Sequence, residues 1–309
     1  MPSKKSSFDK FYTNRGVATD LKEMTFALLG HQRPQHVIEP SAGGGSFLNA
    51  GDEIVPFDLF PDKGLSPELT WRILHPDQLG FSVGVDGTLD PAFLQILRDE
   101  IGRGENLLAI GNPPFGTKSV LAADFVNEFL IVGGVVAFVL PNSFRRWSVQ
   151  KSIRRDARLI ADWDVPPDAF HLPNEKPYGI RCVFQIWSIR PADQHHADLR
   201  KTTRPPTSHP DFEMRRWNRV GSMGQVFDWD YDFALRCQGY VDYNQRFRPG
   251  SLPKDKSHYM MFKGHTSEAT ARLGSLNFHE LSLTQTITPG FGKADVVQAY
   301  LSALLSDRA

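Results

Sequence analysis

The sequence predicts an α/β fold built on a doubly wound, mostly parallel sheet, and three observations lead there. Short apolar runs with the character of buried strands recur through residues 11–190, at 37–39, 54–58, 106–110, 135–140, 159–163 and 182–189. Several of these runs are separated by helical patterns, and such alternation argues for a parallel sheet with covering helices. The run 135–140, Val-Val-Ala-Phe-Val-Leu, is wholly apolar, as expected of a strand covered on both faces.

Each element has its own justification. Residues 1–10 are polar and are expected to be flexible. A helix is predicted over 17–29, stopped by Gly30. The strand at 37–39 runs into a Gly-rich turn, and the strand at 54–58 ends in an acid, Asp58. A further strand is predicted at 71–74. Asp90 can cap a helix with Pro91 in its first turn, running to about 101. Leu121, Phe125 and Phe129 fall four apart and predict the buried face of a helix over 119–132. Arg145, Arg146, Lys151, Arg154, Arg155 and Arg158 crowd one stretch, read as a basic helix. Residues 191–210 are polar, rich in Pro, Thr and His, and read as a linker. Residues 211–309 form a second, smaller α+β region of short aromatic-rich strands and a closing helix at 295–305.

Composition narrows the function. The chain has 309 residues, 40% hydrophobic and 23% charged, with a formal net charge of zero. A nucleic-acid role must then rest on local basic patches. Cys182 and Cys237 lie far apart, in no metal-ligand spacing, and the ten histidines form no HExxH pattern. No metal site or disulfide framework is expected, and a reducing cytoplasm suits the chain. His195 and His196 read as solvated surface. No apolar run approaches 18 residues, so no membrane span is expected, nor is a signal peptide.

The stretch richest in chemistry is Asn112-Pro113-Pro114-Phe115, directly after the strand at 106–110. Pro113 has its φ fixed, and each residue before a proline is pushed out of the helical region. The Asn112 amide oxygen and the Pro113 carbonyl can therefore be held toward one spot, where two acceptors receive both hydrogens of an NH₂ group. Phe115 offers a ring face for a planar heterocycle. The competing reading is a Pro-rich turn capped by a core Phe. The segment Glu39-Pro40-Ser41-Ala42-Gly43-Gly44-Gly45-Ser46-Phe47 is a Gly-rich strand-to-helix turn that lets backbone approach a ligand. It lacks the third glycine of GxGxxG, since Leu48 stands there, so a nicotinamide dinucleotide is disfavoured. Asp58 stands where α/β nucleoside sites place a carboxylate for ribose hydroxyls.

These segments resemble, in order, the motifs of S-adenosylmethionine-dependent amino-methyltransferases. Asn112–Phe115 is similar to their motif IV, most closely that of adenine-N6 DNA methyltransferases in which the cofactor motif comes first, the gamma order. Glu39–Phe47 resembles motif I, Asp58 with Leu59 motif II, and Asp77 motif III, although Gln78 stands where a Phe is usual. Phe11-Tyr12-Thr13 resembles motif X. Pro141-Asn142-Ser143-Phe144 matches the segment after the apolar strand.

The resemblance covers about residues 11–190 and implies a seven-stranded class I methyltransferase domain. It implies S-adenosyl-L-methionine as cofactor, held by Tyr12, Thr13, Glu39, Pro40, Ser41, Ala42, Gly43, Gly45, Phe47, Asp58, Leu59, Asp77 and Asn112. It implies methylation of the adenine N6 amine in DNA, with the base flipped toward Asn112, Pro113, Pro114 and Phe115. Pro141, Ser143, Phe144, Arg145, Arg146 and Lys293 are the expected target contacts, Lys293 because a Gly-rich turn precedes the closing helix. Nucleic acid is the implied partner, DNA ahead of RNA. The alternatives are an amino group of RNA, a protein glutamine, or nucleic-acid binding without catalysis.

Overall fold

The computed structural model describes residues 11–41, 45–48, 54–56, 107–116, 119–172, 174–218, 229–253, 255–284 and 288–306. The expected flexible start, the strand at 71–74, the helix at 90–101, and Ala42, Gly43, Asp58, Leu59 and Asp77 lie outside the described residues. The chain divides into two compact units, Met1–Thr202 and Thr203–Ala309.

The first unit is built on a six-stranded sheet, counted among the described residues. Its strands are β2 (His36–Glu39), β3 (Ile54–Pro56), β4 (Leu107–Gly111), β5 (Gly134–Pro141), β6 (Arg158–Asp164) and β8 (Cys182–Ser188), in the order β3-β2-β4-β5-β8-β6. The contacts from β3 through β5 are parallel, and β8 runs antiparallel to both of its neighbours. The sheet is therefore mostly parallel, as expected, with six described strands against an expected seven. The antiparallel strand has a simple origin. The chain returns from β6 to β8 through a Pro-Pro turn and a short strand β7 (Phe170–His171), without the helix that a parallel crossover needs. Strands β4, β5 and β8 are buried along their whole length, the pattern of central strands covered on both sides.

Helix α1 (Arg15–Leu29) buries Ala18, Leu21, Lys22, Thr25 and Leu29, a single face at helical spacing. It ends at Gly30, whose φ of 53° suits a residue without Cβ. Helix α2 (Val120–Gly133) buries Phe125 and Phe129 completely, while Leu121 is half-buried. Its last residue must be small, because a Cβ on Gly133 would fall 2.3 Å from the Leu107 Cβ. Close approach of helix end and strand start thus sets the glycine. Just ahead of α1, β1 (Tyr12–Thr13) pairs antiparallel with β7.

The expected basic helix over 145–158 is corrected. Asn142–Arg145 form a 3-10 turn, α3 (Trp147–Gln150) is a single turn, and irregular backbone follows. Two causes are visible. Arg146 is extended, at φ −86° and ψ 134°, and interrupts the helix. The guanidinium of Arg200 then donates to the carbonyls of Gln150, Ile153, Arg154 and Ala157, satisfying groups that a helix would otherwise pair.

The segment read as a linker begins against the first unit. Leu199 N–H donates to Leu159 O at 2.9 Å, Asp198 accepts from Leu159 N–H at 3.1 Å, and Lys201 N–H donates to Gln150 Oε1 at 2.7 Å. The backbone carbonyl of His196 accepts from Arg158, and its half-buried ring is pushed below the ordinary histidine range, first by burial and then by His195.

The second unit carries a three-stranded antiparallel sheet, β9 (Phe212–Asn218), β10 (Phe233–Arg236) and β11 (His258–Gly264), in the order β10-β11-β9. Alternation along the strands sorts the side chains. Phe212, Met214, Met260 and Phe262 share a core with helices α4 (Ser267–Ser275), α5 (Phe278–Leu283) and α6 (Lys293–Ser306). Trp217, Tyr259 and Met261 face the other way, into a smaller cluster with Tyr231, Ala234 and Phe247.

Candidate active site

Between β2 and β4 the strand order reverses: β3 lies on one side of β2 and β4 on the other. In open α/β sheets ligands bind outside the carboxyl ends of strands at such a point. Both segments rich in chemistry emerge there. Glu39 closes β2, and Gly111-Asn112 leaves β4. The two touch: a Cβ on Gly111 would stand 3.0 Å from Glu39 Cγ and 3.5 Å from its Oε1. Gly111 has φ 149° and holds this approach open. Glu39 is only 2% exposed, so a carboxylate stands almost fully buried at the switch point.

Asn112 has the most informative surroundings. Its Nδ2 donates to the carbonyl of Phe11 at 3.4 Å. Only the NH₂ end of an amide can donate to a carbonyl, so this contact fixes which end is which. The other end, Oδ1, is buried and has no hydrogen-bond partner. An unsatisfied buried acceptor costs about 1–3 kcal/mol. The Thr13 hydroxyl is likewise buried without a partner. Two orphaned polar atoms thus belong to the segments carrying Asn112 and Thr13, and Phe11, two residues before Thr13, holds the Asn112 amide.

The neighbouring residues divide into walls and packing. Pro113 is buried and Pro114 half-buried. Phe115 is 4% exposed, with Phe11 edge-on at 5.1 Å; the open stacking face expected of it is a packed one here. Phe11 also meets Phe170 and Tyr178, at 5.4 and 5.5 Å, and Tyr12 lies beside His171. Of the Gly-rich turn, Pro40 is buried, Ser41 half-buried, and Gly45 turns the chain at φ 71°. Phe47 is 1% exposed and stacks on Phe184 at 6.5 Å, so it is a core ring.

At the end of β5, Pro141 pairs with Cys182 across the sheet, and burial pushes the Cys182 thiol well up, leaving it inert. Phe144 is fully buried. Ser143 shares a hydrogen bond of 2.6 Å with Ser119, the left-handed residue (φ 64°) just before α2. The loop after β4 and the turn after β5 are thereby joined, a link with no local sequence signal.

Basic residues of the expected target surface have partners within the protein. Arg145 Nε lies 3.0 Å from both carboxylate oxygens of Asp162, and its Nη1 is 2.6 Å from Asp164. Burial works against its charge, but the bonds to the two acids outweigh this and hold it above the ordinary arginine range. Arg154 is paired with Asp156 at 2.6 Å. Lys293, in the other unit, opens α6, but the preceding turn already has its anion: Gly292 N–H donates to Asp295 Oδ2 at 2.7 Å. Among the described residues no group of three or more His, Cys, Asp and Glu could hold a metal ion, and no helix is long and apolar enough to cross a membrane.

The sequence matches no protein-family model, and no curated protein is significantly similar to it. Solved structures do show a likeness. PH1948 from Pyrococcus horikoshii, assigned as an RNA methyltransferase, matches with TM-score 0.37 and 15% identity, over 59% of this chain and 88% of that one. The Type IIL restriction-modification enzyme MmeI, solved in complex with DNA, matches with TM-score 0.43 and 10% identity, over 95% of this chain and 67% of that one. HI0767 from Haemophilus influenzae, assigned as a methylase, matches with TM-score 0.30 and 14% identity, over 56% of this chain and 99% of that one. All three TM-scores fall below 0.5, too low for a function to be carried over from any of them.

Proposed function

We propose that the first unit is an S-adenosylmethionine-dependent methyltransferase acting on an exocyclic amino group of nucleic acid, with the N6 amine of adenine in DNA as its substrate. The observation that carries this is the buried, unpartnered Oδ1 of Asn112, at the carboxyl end of β4, with its Nδ2 tied to Phe11 O. That acceptor is already desolvated and oriented before any substrate arrives. An amine N–H is the donor that would satisfy it.

The residues present fit the cofactor. Glu39 places a buried carboxylate beside Gly111 at the switch point, suited to an ammonium group, and the Thr13 hydroxyl is a buried polar atom in want of a partner. When bound, S-adenosylmethionine supplies an electrophilic methyl on a sulfonium. The protein's part is positioning. The adenine amine is a poor nucleophile because its lone pair is delocalised into the ring. Asn112 Oδ1 and the Pro113 carbonyl would accept its two hydrogens, favouring a tetrahedral nitrogen with a localised lone pair, and would support the positive charge that develops there. The amine then sheds a proton to solvent. A duplex substrate would first expose the base, at a few kcal/mol for unstacking.

The test is incubation of the full chain with methyl-labelled S-adenosylmethionine and DNA, RNA or protein, followed by nucleoside and amino-acid analysis. Label in N6-methyladenine from DNA is the expected result. Label in an RNA nucleoside or in glutamine would keep methyl transfer but change the substrate, and no label with nucleic-acid binding intact would leave a binding protein.

A further inference from the structure

The face of the second unit's sheet that turns away from its helices carries an aromatic cleft. Trp217 and Met261, on paired strands β9 and β11, are buried at its floor, 4% and 2% exposed. Trp229 and Tyr231, their rings stacked on each other at 6.2 Å and 29° from parallel, line the cleft with Leu252; Tyr231 is buried and Trp229 half-buried. The enclosed space is about 90 Å³. The Tyr231 hydroxyl donates to Arg248 O at 3.3 Å, which ties that wall to the 248–252 loop.

Charge surrounds this cleft unevenly. The Arg215 guanidinium lies 4.7 Å from the centre of the Trp229 ring and 3.9 Å from the Glu213 carboxylate. Arg248 is exposed at the rim. Asp230, beside Trp229, is already neutralised by Lys263 at 2.8 Å. A guanidinium stacked on a ring keeps its N–H edges available for phosphate. An aromatic cleft with arginines beside it is the combination that single-stranded nucleic acid uses: bases stack and cations track the backbone.

We infer that this cleft takes an unpaired nucleobase of a single strand, packed against the half-buried Trp229, with Arg215 and Arg248 toward its phosphate. The cleft belongs to the second unit and rests on the functional reading only in taking nucleic acid as ligand.

The test uses the full chain and 20-nucleotide single strands of DNA or RNA that carry a photoreactive uracil. Cross-links mapped by mass spectrometry are expected on Trp229, Tyr231 or Trp217; whichever strand cross-links identifies the source of the base. By fluorescence anisotropy, Trp229→Ala is expected to weaken single-strand binding roughly 5- to 100-fold, and Trp229→Phe less than about threefold, from the range of base–aromatic stacking. Cross-links confined to residues outside the cleft would overturn the inference. So would unchanged affinity in a folded Trp229→Ala protein, or displacement of the oligonucleotide from the cleft by a proline-rich peptide. Methyl transfer is scored separately: intact transfer without cleft cross-links sinks the cleft alone, and cleft cross-links without transfer sink the methyltransferase reading alone.

Discussion

Asn112 Nδ2 and the carbonyl of Phe11 meet at 3.4 Å across 101 positions of sequence. This joins the N-terminal strand to the proposed catalytic loop, and it leaves the acceptor end of the amide unsatisfied. The Phe11 ring reinforces the same junction by packing on Phe115, Phe170 and Tyr178.

Phe11→Ala should therefore loosen the loop as well as the fold. Loss of a buried Phe typically costs about 3–5 kcal/mol. Urea unfolding should show that loss, and any surviving folded protein should transfer methyl more slowly. A loss below about 1 kcal/mol would mean that the Phe11 junction is not a packed one.

Arg145 is predicted to act in stability, not in phosphate binding. Its bond to Asp162 is mostly shielded, whereas Asp164 is 84% exposed and its share is screened by solvent. Arg145→Ala should cost about 1–2 kcal/mol of stability and leave the salt dependence of nucleic-acid binding unchanged. A flatter slope of log affinity against log salt would restore it as a phosphate contact.

Arg200 satisfies four carbonyls at once, and burial, the larger influence on its charge, lowers its pKa. Arg200→Ala should cost about 3 kcal/mol, since bonds to charged groups contribute about 1.5–3 kcal/mol each and are not additive. Arg200→Lys should recover less than half, because an ammonium cannot span the fork of a guanidinium. Equal recovery by lysine in thermal unfolding would refute the geometric account.

Asp255 sets a pH dependence. Burial works to raise its carboxyl, but hydrogen bonds from Arg236, the Ser257 backbone and Tyr259 outweigh this and hold it far below the usual carboxylate range. A depressed folded value contributes stability above the unfolded value of about 3.9, and this is lost as pH falls toward the folded one. The stability gap between the wild type and Asp255→Asn should be full at pH 7 and shrink below about pH 4. A gap unchanged at pH 3 in urea titrations would contradict the assignment.

Much of this was legible in the sequence, for physical reasons. Val135–Leu140 could only be a strand covered on both faces, and Phe125 and Phe129 could only face inward. Asn112 and Glu39 were singled out locally, and sheet topology then placed them at one switch point. What stayed hidden depends on distant partners. The basic stretch read as a helix because nothing local announced that Arg200 would take its carbonyls, or that Asp162 and Asp164 would neutralise Arg145. The Ser119–Ser143 bond has no local signature for the same reason. In the second unit the aromatic residues were plain in the sequence but their packing was not: Trp217, Tyr231 and Tyr243 are largely buried, because a small sheet needs large rings to build any core.

The central claim is that the orphaned Oδ1 of Asn112 receives the target amine, and Asn112→Ala tests it most directly. The measurement is single-turnover transfer of labelled methyl to DNA, with S-adenosylmethionine affinity measured by calorimetry on the same preparations. The predicted result is transfer reduced at least about 100-fold, the scale of removing one positioned transition-state hydrogen bond, with cofactor affinity changed by less than about threefold. Transfer within about threefold of the wild type would contradict the claim.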